Sequence, residues 1–489
     1  MPAHDYPEFD RLTVFNQLQK LKLGKASAPN QIPKRLIKEF AFELSEPIRH
    51  IFNLSIKHGT FPKRWKVATI TSLPKKKIIT EMGDLRPLSL TPDIGKILEG
   101  LVAKMVLADI KLNLDPRQYG NQKGSSTTHY LVYLLDQILK GLDEPHTIAS
   151  LVLIDFQKAF DYVDHSTALT QLYLLGCRSS LLPFISCFLS GRRHRVRYGD
   201  AISEYDEISC GVPQGTVLGP VIFLAVADPI CRTIEPRVKY VDDLSIAEII
   251  KIIREIVYTL QGKLDALSQN CKDVNMLINA LKCYVMHIIP PKRQLPIVFP
   301  DLHLDGTPLP VVHECVLLGV HLNDELTWDD HVQHMVSKAS RSMSIMYRAK
   351  KFHFNTDTLL ILYNWYIRTT LEYTAPTWHP GLTEAQHHRI ERLQKRCFRI
   401  VLGAQYLTYE NALQTLQACT LRERRESLTM RFGRSLLNSP RHRGLLPPTL
   451  GQVHGRNTRN RNNLPVIQCN TGRYRCSTIP YIVRLLNGM

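Results

Sequence analysis

The sequence predicts a mixed α+β protein, and three observations lead there. Over the first half of the chain, short apolar runs alternate with stretches of helical spacing, the pattern of an α/β or α+β domain. From about Asp329 the pattern changes: HVQHMVSKASRSMSIMYRAKKF, TLLILYNWYIRTTLEY and AQHHRIERLQKRCFRIVLG place apolar residues at helical spacing with basic residues between them, which predicts a mainly helical remainder. No repeat of solenoid or propeller period is visible. At 489 residues, 44% hydrophobic and 22% charged, the chain has room for about two to four packed subdomains.

Several classes are excluded early. The opening MPAHDYPEFDR carries acids and no apolar stretch, so it does not read as a secretory signal. The longest nearly uncharged apolar run, Val217 to Ala227, is about half the ~20 residues of a membrane-spanning helix and reads as buried core; no membrane partner is expected. Eleven scattered cysteines fit reduced thiols better than a disulfide frame. Cys469 and Cys476, with His442 and His454 upstream, match no standard zinc spacing. The net charge of +18 is uneven: from Thr383 onward 18 Lys and Arg face 5 Asp and Glu, an excess of +13. Such a basic region suits a polyanionic partner. The stretch from Pro440 to Pro465 is rich in Gly, Pro, Asn and Arg and lacks periodicity, which predicts an exposed basic linker ahead of a short helix, IPYIVRLLN.

The chemistry centres on three acids. SLVLIDFQKAFDYVDH reads as a buried strand, Leu151 to Ile154, ending in Asp155 and followed by a helix. KYVDDLSI is a short apolar run interrupted by Asp242 and Asp243, the pattern of a hairpin tip. Adjacent carboxylates in apolar surroundings repel and are desolvated, so they persist mainly where a cation compensates. If the two strands are neighbours, at about 4.8 Å spacing, Asp155 and Asp242 face a common point, and hard oxygen ligands of this kind suit Mg²⁺. Between them lies GVPQGTVLGP, Gly211 to Pro220, whose glycines and prolines permit close backbone approach to a ligand and whose uncharged Gln214 can hydrogen-bond a sugar or base edge.

In this order the motifs resemble the reverse transcriptases of non-LTR (LINE-type) retrotransposons. GTFPKRWKVATITSLPKKK, DLRPLSLTPDIGKILE, QYGNQKGSSTTHYLV, LIDFQKAFDYVDH, GVPQGTVLGPVIF, KYVDD, NMLINALKC and LLGVHLNDELTWDDHV all occur in the family's sequence of motifs. LEYTAPTWHPGLTEAQHHRIERLQKRCFRIVLG resembles the same family rather than intron maturases or telomerase. The resemblance implies a right-hand α+β fold: a helical segment before the fingers over 1–60, fingers and palm over 61–320, a helical thumb and C-terminal region over 321–440, and a basic linker with a terminal helix over 441–489. It implies RNA-directed DNA polymerase activity with two Mg²⁺ ions as cofactor, on element RNA as template, a DNA primer or nicked target DNA, and deoxynucleotides. An intracellular ribonucleoprotein of nucleus and cytoplasm follows from the same likeness. The runner-up reading is a catalytically dead nucleic-acid-binding relic of such an element, against which the retention of all three aspartates argues.

Residue by residue, the resemblance makes Asp155 and Asp242 the principal metal-binding acids, Asp243 their weaker neighbour and the Phe156 carbonyl a further ligand. Phe160 matches the aromatic gate against a 2′-hydroxyl; on its own it reads as a core aromatic in the first helical turn. Arg86, with one lysine of Lys75, Lys76 and Lys77, Lys75 by preference, matches the triphosphate-binding cations. Gln214 matches the nucleotide-pocket glutamine, Lys282 the general acid near pyrophosphate, and Leu317 to Val320 the primer grip. Two positions depart from the common pattern: Val241 stands where many relatives have alanine, and ADPI from Ala227 replaces an Asn-Asp-Leu, with Pro229 expected to end the preceding helix. Complete elements of this kind encode an endonuclease ahead of the polymerase, and the chain starts just before the fingers; a truncated genomic copy or an incomplete gene model is the simple expectation, with an endonuclease supplied in trans as the alternative.

Overall fold

The computed structural model describes residues 6–24, 32–252, 258–290, 298–454 and 460–488. Helices α1 (Arg11–Gln19), α2 (Lys34–Glu39) and α3 (Ala41–Lys57) come first, α1 capped by Asp10, whose carboxylate accepts from the Thr13 amide. Then follow β1 (Val67–Pro74), β2 (Leu85–Leu90), α4 (Asp93–Ile110), α5 (Thr127–Asp143), β3 (Thr147–Ile154), α6 (His165–Leu174), α7 (Leu182–Leu189), β4 (Arg192–Tyr198), β5 (Ala201–Ile202) and β6 (Asp206–Ile208). The palm is completed by α8 (Gly219–Val226), β7 (Arg237–Tyr240), β8 (Asp243–Lys251), α9 (Leu260–Asp273) and β9 (Tyr284–Ile288). Two small hairpins, β10 (His303–Leu304) with β11 (Thr307–Pro308) and β12 (Glu314–Leu317) with β13 (Val320–Asn323), precede α10 (Asp329–Lys351).

Two sheets position the site. The fingers sheet runs β2-β1-β4-β5, with β6 also on β4; β1 and β4 are parallel and the other pairs antiparallel. The palm sheet is antiparallel, ordered β7-β8-β3-β9. All eight residues of β3 are buried because both its faces are covered. Ala149, Leu151 and Leu153 join the core against Tyr130, Leu134 and Ile138 of α5, while Val152 and Ile154 join the core containing Leu98 of α4 and Phe223 of α8. A strand covered on both sides reads as one apolar run instead of an alternating one.

Several expectations need correction. The strand expected at Leu151 begins at Thr147. The helix expected directly after Asp155 starts only at His165, capped by Asp164; residues 156–163 form turns, and Lys158 sits at φ +44°, which ends any right-handed helix. Phe160 is therefore a turn residue. The boundary between palm and thumb expected at 320 would cut the β12–β13 hairpin, whose Val320 and Leu322 belong to the α5 core. The helical part follows as Asp329–Lys351, Thr356–Leu362, a π-helical turn Tyr363–Arg368, Glu384–Leu402 and Leu421–Asn438. The basic stretch after Pro440 is not an exposed linker throughout. His442 is 3% exposed, and Leu446 and Leu464 pack with Leu436 and with Ile482 of the terminal helix Thr478–Leu486. Gly433 admits that helix, since a Cβ there would lie 2.6 Å from Ile482. All eleven cysteines are free thiols. Among the described residues no helix is long and apolar enough to cross a membrane.

Six histidines are held neutral mainly by burial: His129, His287, His331, His387 and His442 are pulled down to about 4 and His379 to about 3, from an ordinary 6.5. Each binds its proton more weakly folded than unfolded, so the stability they contribute is complete above about pH 6.5 and is lost as pH falls towards 4. Burial raises Asp136 to about 7 and Asp243 to about 6 and also raises Glu99 and Asp242, the opposite sense, but these are four groups against six. The thermal midpoint should therefore fall as pH is lowered from about 7 to about 5 at constant ionic strength; a midpoint that is flat or rises over that interval would contradict the assignment.

Candidate active site

Antiparallel pairing of β3 with β8 ends at Ile154 opposite Leu244, so the next step of the register brings Asp155 opposite Asp243. Hairpin β7–β8 closes at Tyr240 opposite Asp243, which leaves Val241 and Asp242 as a two-residue turn at the end of the same sheet. The three acids expected from the sequence thus stand at the same end of the palm sheet, although among the described residues no three His, Cys, Asp or Glu side chains are gathered closely enough to hold a metal ion as they stand. Asp242 and Asp243 open to solvent at the mouth of a cleft but are packed by protein behind. Burial raises the pKa of Asp242, Asp155 adds to the rise, and Arg86 opposes it. Burial, then the charges of Asp242 and Asp155, push Asp243 up to about 6. The Lys282 ammonium lies 3.8 Å from Asp155, on an exposed side chain at the end of a short 3₁₀ turn. A cavity of about 500 Å³ is lined by Asp155, Asp243, Lys282, Leu317 and Leu318, so the LLGV turn faces the acids. Phe156 is buried and bridges to Ile278; on either side of it Gln157 donates to the Leu277 carbonyl and Asn279 to that of Asp155.

The turn that carries Asp242 is strained. Val241 has φ +61°, unusual for a β-branched residue and worth about 1–3 kcal/mol of strain that only surrounding contacts can hold. Alanine, common here among the enzymes the sequence resembles, lacks the branch. The contacts come from the QYG motif: Gln118 Oε1 accepts from the Val241 amide (3.1 Å) and from the Gly120 amide (2.9 Å). Below the turn, β7 carries two buried cations to one buried acid. Asp115 receives Arg237 through Nη2 (2.9 Å) and Nε (3.1 Å), and Lys239 through Nζ (2.8 Å). Burial alone would raise the Asp115 carboxyl, but the charge of Lys239 and the bonds from Arg237 hold it well below the usual carboxylate range. The ADPI segment is tied in as well: Asp228 accepts from the Asp115 amide, and Lys239 donates to the carbonyls of Ala227 and Asp228. Helix α8 ends at Val226, and Pro229 opens a separate 3₁₀ turn.

On the fingers side, the Gly-Pro-Gln loop is laced to the turn after Asp155. Gly211 (φ +83°) donates to the Val163 carbonyl, Val212 to that of Phe160, and a Cβ on Gly211 would sit 2.4 Å from the Asp161 carbonyl oxygen. Gln214 donates to Asp161 (3.2 Å), and its own carbonyl accepts from Ser89 of β2. Phe160 stacks on Phe223, centroids 4.5 Å apart, with part of its ring exposed. Buried Glu99 accepts from the Val217 amide (2.7 Å) just ahead of α8. Arg86 is exposed on β2, close enough for its charge to act on Asp242. Lys75 is not brought to the acids: its ammonium donates to the Gly83 carbonyl within its own hairpin, while Lys76 pairs with Asp84. Gln118, Gly120, Asp115 and Glu99 escaped the sequence reading. The only signal for the first two was their presence in the QYG motif.

The palm, fingers and acids have the arrangement of the right-hand polymerase fold, and comparison with known proteins agrees with that fold. Residues 73–322 match the family model described as reverse transcriptase (RNA-dependent DNA polymerase), about half of the chain, and the chain belongs to that family. It is 25% identical over 427 residues to a probable RNA-directed DNA polymerase from transposon X-element of Drosophila melanogaster, covering 83% of this chain and 45% of the relative. It is 26% identical over 445 residues to the RNA-directed DNA polymerase from mobile element jockey of the same fly (86% and 47%). With the jockey protein of Drosophila funebris the identity is 28% over 403 residues (79% and 43%). The relatives are those of non-LTR retrotransposons, as the motifs imply, and the chain spans less than half of their length.

Gly120 supplies a test of the brace. A Cβ there would lie 2.4 Å from the Val241 amide nitrogen. Gly120→Ala should therefore destabilise the protein by roughly 1–3 kcal/mol, as overpacking of a closed contact does, read as a lower unfolding midpoint. An unchanged midpoint would mean that the turn has room to move aside.

Proposed function

We propose that this chain is an RNA-directed DNA polymerase of a non-LTR retrotransposon that extends a DNA 3′ end on element RNA. The observation that carries the proposal is the placing of Asp155, Asp242 and Asp243 at one end of the palm sheet, with Asp242 raised by burial and the charge of Asp155, and Asp243 by burial and the charges of Asp242 and Asp155. A hard-oxygen cluster whose charge is poorly balanced fits divalent magnesium. Two Mg²⁺ ions held by these carboxylates and the Phe156 carbonyl would lower the pKa of the primer 3′-hydroxyl and neutralise the departing pyrophosphate.

The remaining side chains have roles suited to their positions. The primer oxygen attacks the α-phosphate, forming the new phosphodiester as the bond to pyrophosphate breaks. Arg86 binds the triphosphate through its planar donors, and Lys282 protonates the leaving pyrophosphate. Lys75 can assist only by releasing the Gly83 carbonyl. Gln214, steadied by Asp161, contacts the sugar or base, and Phe160, backed by Phe223, closes the space beneath the 2′ position. Selection of the base is left to pairing with the template, so the protein needs shape and backbone contacts more than base readout. The basic C-terminal part contributes phosphate affinity. In this reading the protein works inside the cell, in nucleus and cytoplasm, as a ribonucleoprotein.

Primer extension on poly(rA) and oligo(dT) with Mg²⁺ tests the reading. Asp155→Asn or Asp242→Asn should reduce extension at least ~10³-fold with template–primer binding retained, and Asp243→Asn should be milder. Retention of more than about a tenth of the wild-type rate by either of the first two would sink the assignment. Phe160→Val should raise the ratio of ribonucleotide to deoxynucleotide incorporation more than about tenfold, equivalent to about 1.4 kcal/mol. An unchanged ratio in an active variant would return Phe160 to simple packing.

A further inference from the structure

The turn that carries Asp242 is braced by residues that lie far beyond the fingers and palm. β7 is an edge strand of the palm sheet, and residues 117–119 cover its open side. Lys239 donates to the Arg117 carbonyl (3.0 Å), Tyr119 donates to the Lys239 carbonyl (2.8 Å), and Gln118 bridges to Lys239 in parallel sense. Strained Val241 is held by the side chain of Gln118, so the placing of Gln118 decides the placing of the turn.

What places Gln118 is Arg441. Its Nη2 donates to the Gln118 carbonyl at 2.6 Å, across 323 positions of sequence, and reaches the carbonyls of Asp115 (3.4 Å) and Pro116 (3.5 Å); Nη1 donates to Gln122 (3.3 Å). One rigid fork thus gathers the curled 115–122 segment, a task for which a lysine's single point charge is less suited. The next residue fixes the fork in place. His442 stacks on Tyr119 (5.7 Å between centroids, 15° between planes) and lies tilted against His129 (4.2 Å, 33°), and its Nε2 bonds the Ser125 hydroxyl at 2.8 Å. The relay runs from Arg441 through Gln118 to Val241, and the residue after Val241 is Asp242.

We propose that the segment around Arg441 and His442 is a working part of the polymerase site, a C-terminal strap that positions the Val241–Asp242 turn through residues 115–122. The proposal rests on the polymerase reading above, in which Asp242 is a metal ligand. Arg441 is a positioning residue: it touches neither nucleotide nor primer, and acts on how tightly the turn is held in the geometry the ions require. Loss of the strap should loosen the turn and weaken Mg²⁺ while leaving the nucleotide pocket of Arg86 and Gln214 as it was.

The test uses the full chain as wild type, Arg441→Ala, Arg441→Lys and the control Arg434→Ala, which removes an exposed charge from the preceding helix. Two readouts are needed. Amide hydrogen exchange across 117–120 and 239–243, without metal or substrate, should accelerate at least about tenfold in Arg441→Ala, less in Arg441→Lys and not in Arg434→Ala. In primer extension, the Mg²⁺ concentration for half-maximal rate should rise several-fold in Arg441→Ala and kcat at low Mg²⁺ should fall, with KM for the deoxynucleotide within about twofold of wild type. Excess Mg²⁺ should restore much of the rate. If Arg441→Ala does not fold, Arg441→Lys carries both measurements. Unchanged exchange at 239–243 in a folded variant overturns the strap, as does an unchanged Mg²⁺ midpoint with a raised KM. If wild type extends no primer, the polymerase reading fails while the exchange result still decides whether Arg441 holds the turn.

Discussion

Asp115 carries its charge with no exposure to solvent, and the geometry of the acid cluster depends on that burial. A carboxylate so placed is tolerable only if it is paired and hydrogen-bonded. The pairing comes from Arg237 and Lys239, two positions apart on β7 and so on one side of the strand, while Val238 between them faces the α5 core. Asp228 and Arg232 complete a cluster in which each buried charge has an opposite neighbour. Removing one partner of such a group leaves another uncompensated, typically at a cost of about 3–5 kcal/mol. The cluster therefore fixes the register of β7 against the 115–119 segment with little slack, and the two acids at the hairpin tip inherit that precision.

This arrangement also explains how a strained turn survives. A β-branched residue at positive φ relaxes unless several contacts agree against it. Here a side-chain amide, a glycine without room for a Cβ, and an edge strand covered by another segment all hold Val241 in the same position. The acids repel each other on one side of the turn, and the buried ion cluster restrains it on the other. The fingers are built differently. Their Lys75–Asp84 hairpin is held by local bonds such as Lys76 to Asp84 and Lys75 to the Gly83 carbonyl, on exposed side chains that can exchange partners for a ligand.

The sequence made the palm legible for a physical reason. Asp155 after a continuous apolar run and an acid pair inside another would each pass alone for a cap or a solvated turn, but in order with the Gly-Pro-Gln loop they read as a buried strand and a hairpin tip, and the structure pairs the two in adjoining register. The spacing of helix α10 and of Glu384–Leu402 was equally plain, because amphipathic helices announce their buried stripe. What stayed hidden depends on distant residues or on single dihedral angles. Lys158 at positive φ delays the helix after Asp155 by about two and a half turns, and nothing in DFQKAF signals it. His442 and Arg441 sit in a stretch whose composition reads as linker, since composition reports average solvation and says nothing of one guanidinium meeting four acceptors in another part of the chain. The Lys75 contact stayed hidden for a related reason: a run of lysines gives no hint of which one folds back on its own loop.

The parallel pairing of β1 with β4 has a further consequence, for the order in which the protein can be made. Val67 lies opposite Arg193, so the central pair of the fingers sheet joins strands 126 positions apart, with the palm strand β3 between them in the chain. A nascent chain that has just released β1 and β2 holds a two-stranded ribbon with one edge unsatisfied, and such ribbons are marginal in water. That edge waits through the synthesis of α4, α5 and β3 before its partner arrives, an interval of several seconds to tens of seconds at ordinary elongation rates. Fingers and palm are thus one cooperative folding unit, and the exposed edge of β1 makes this interval the one in which a companion such as a chaperone, or the RNA from which the chain is being read, has most to protect.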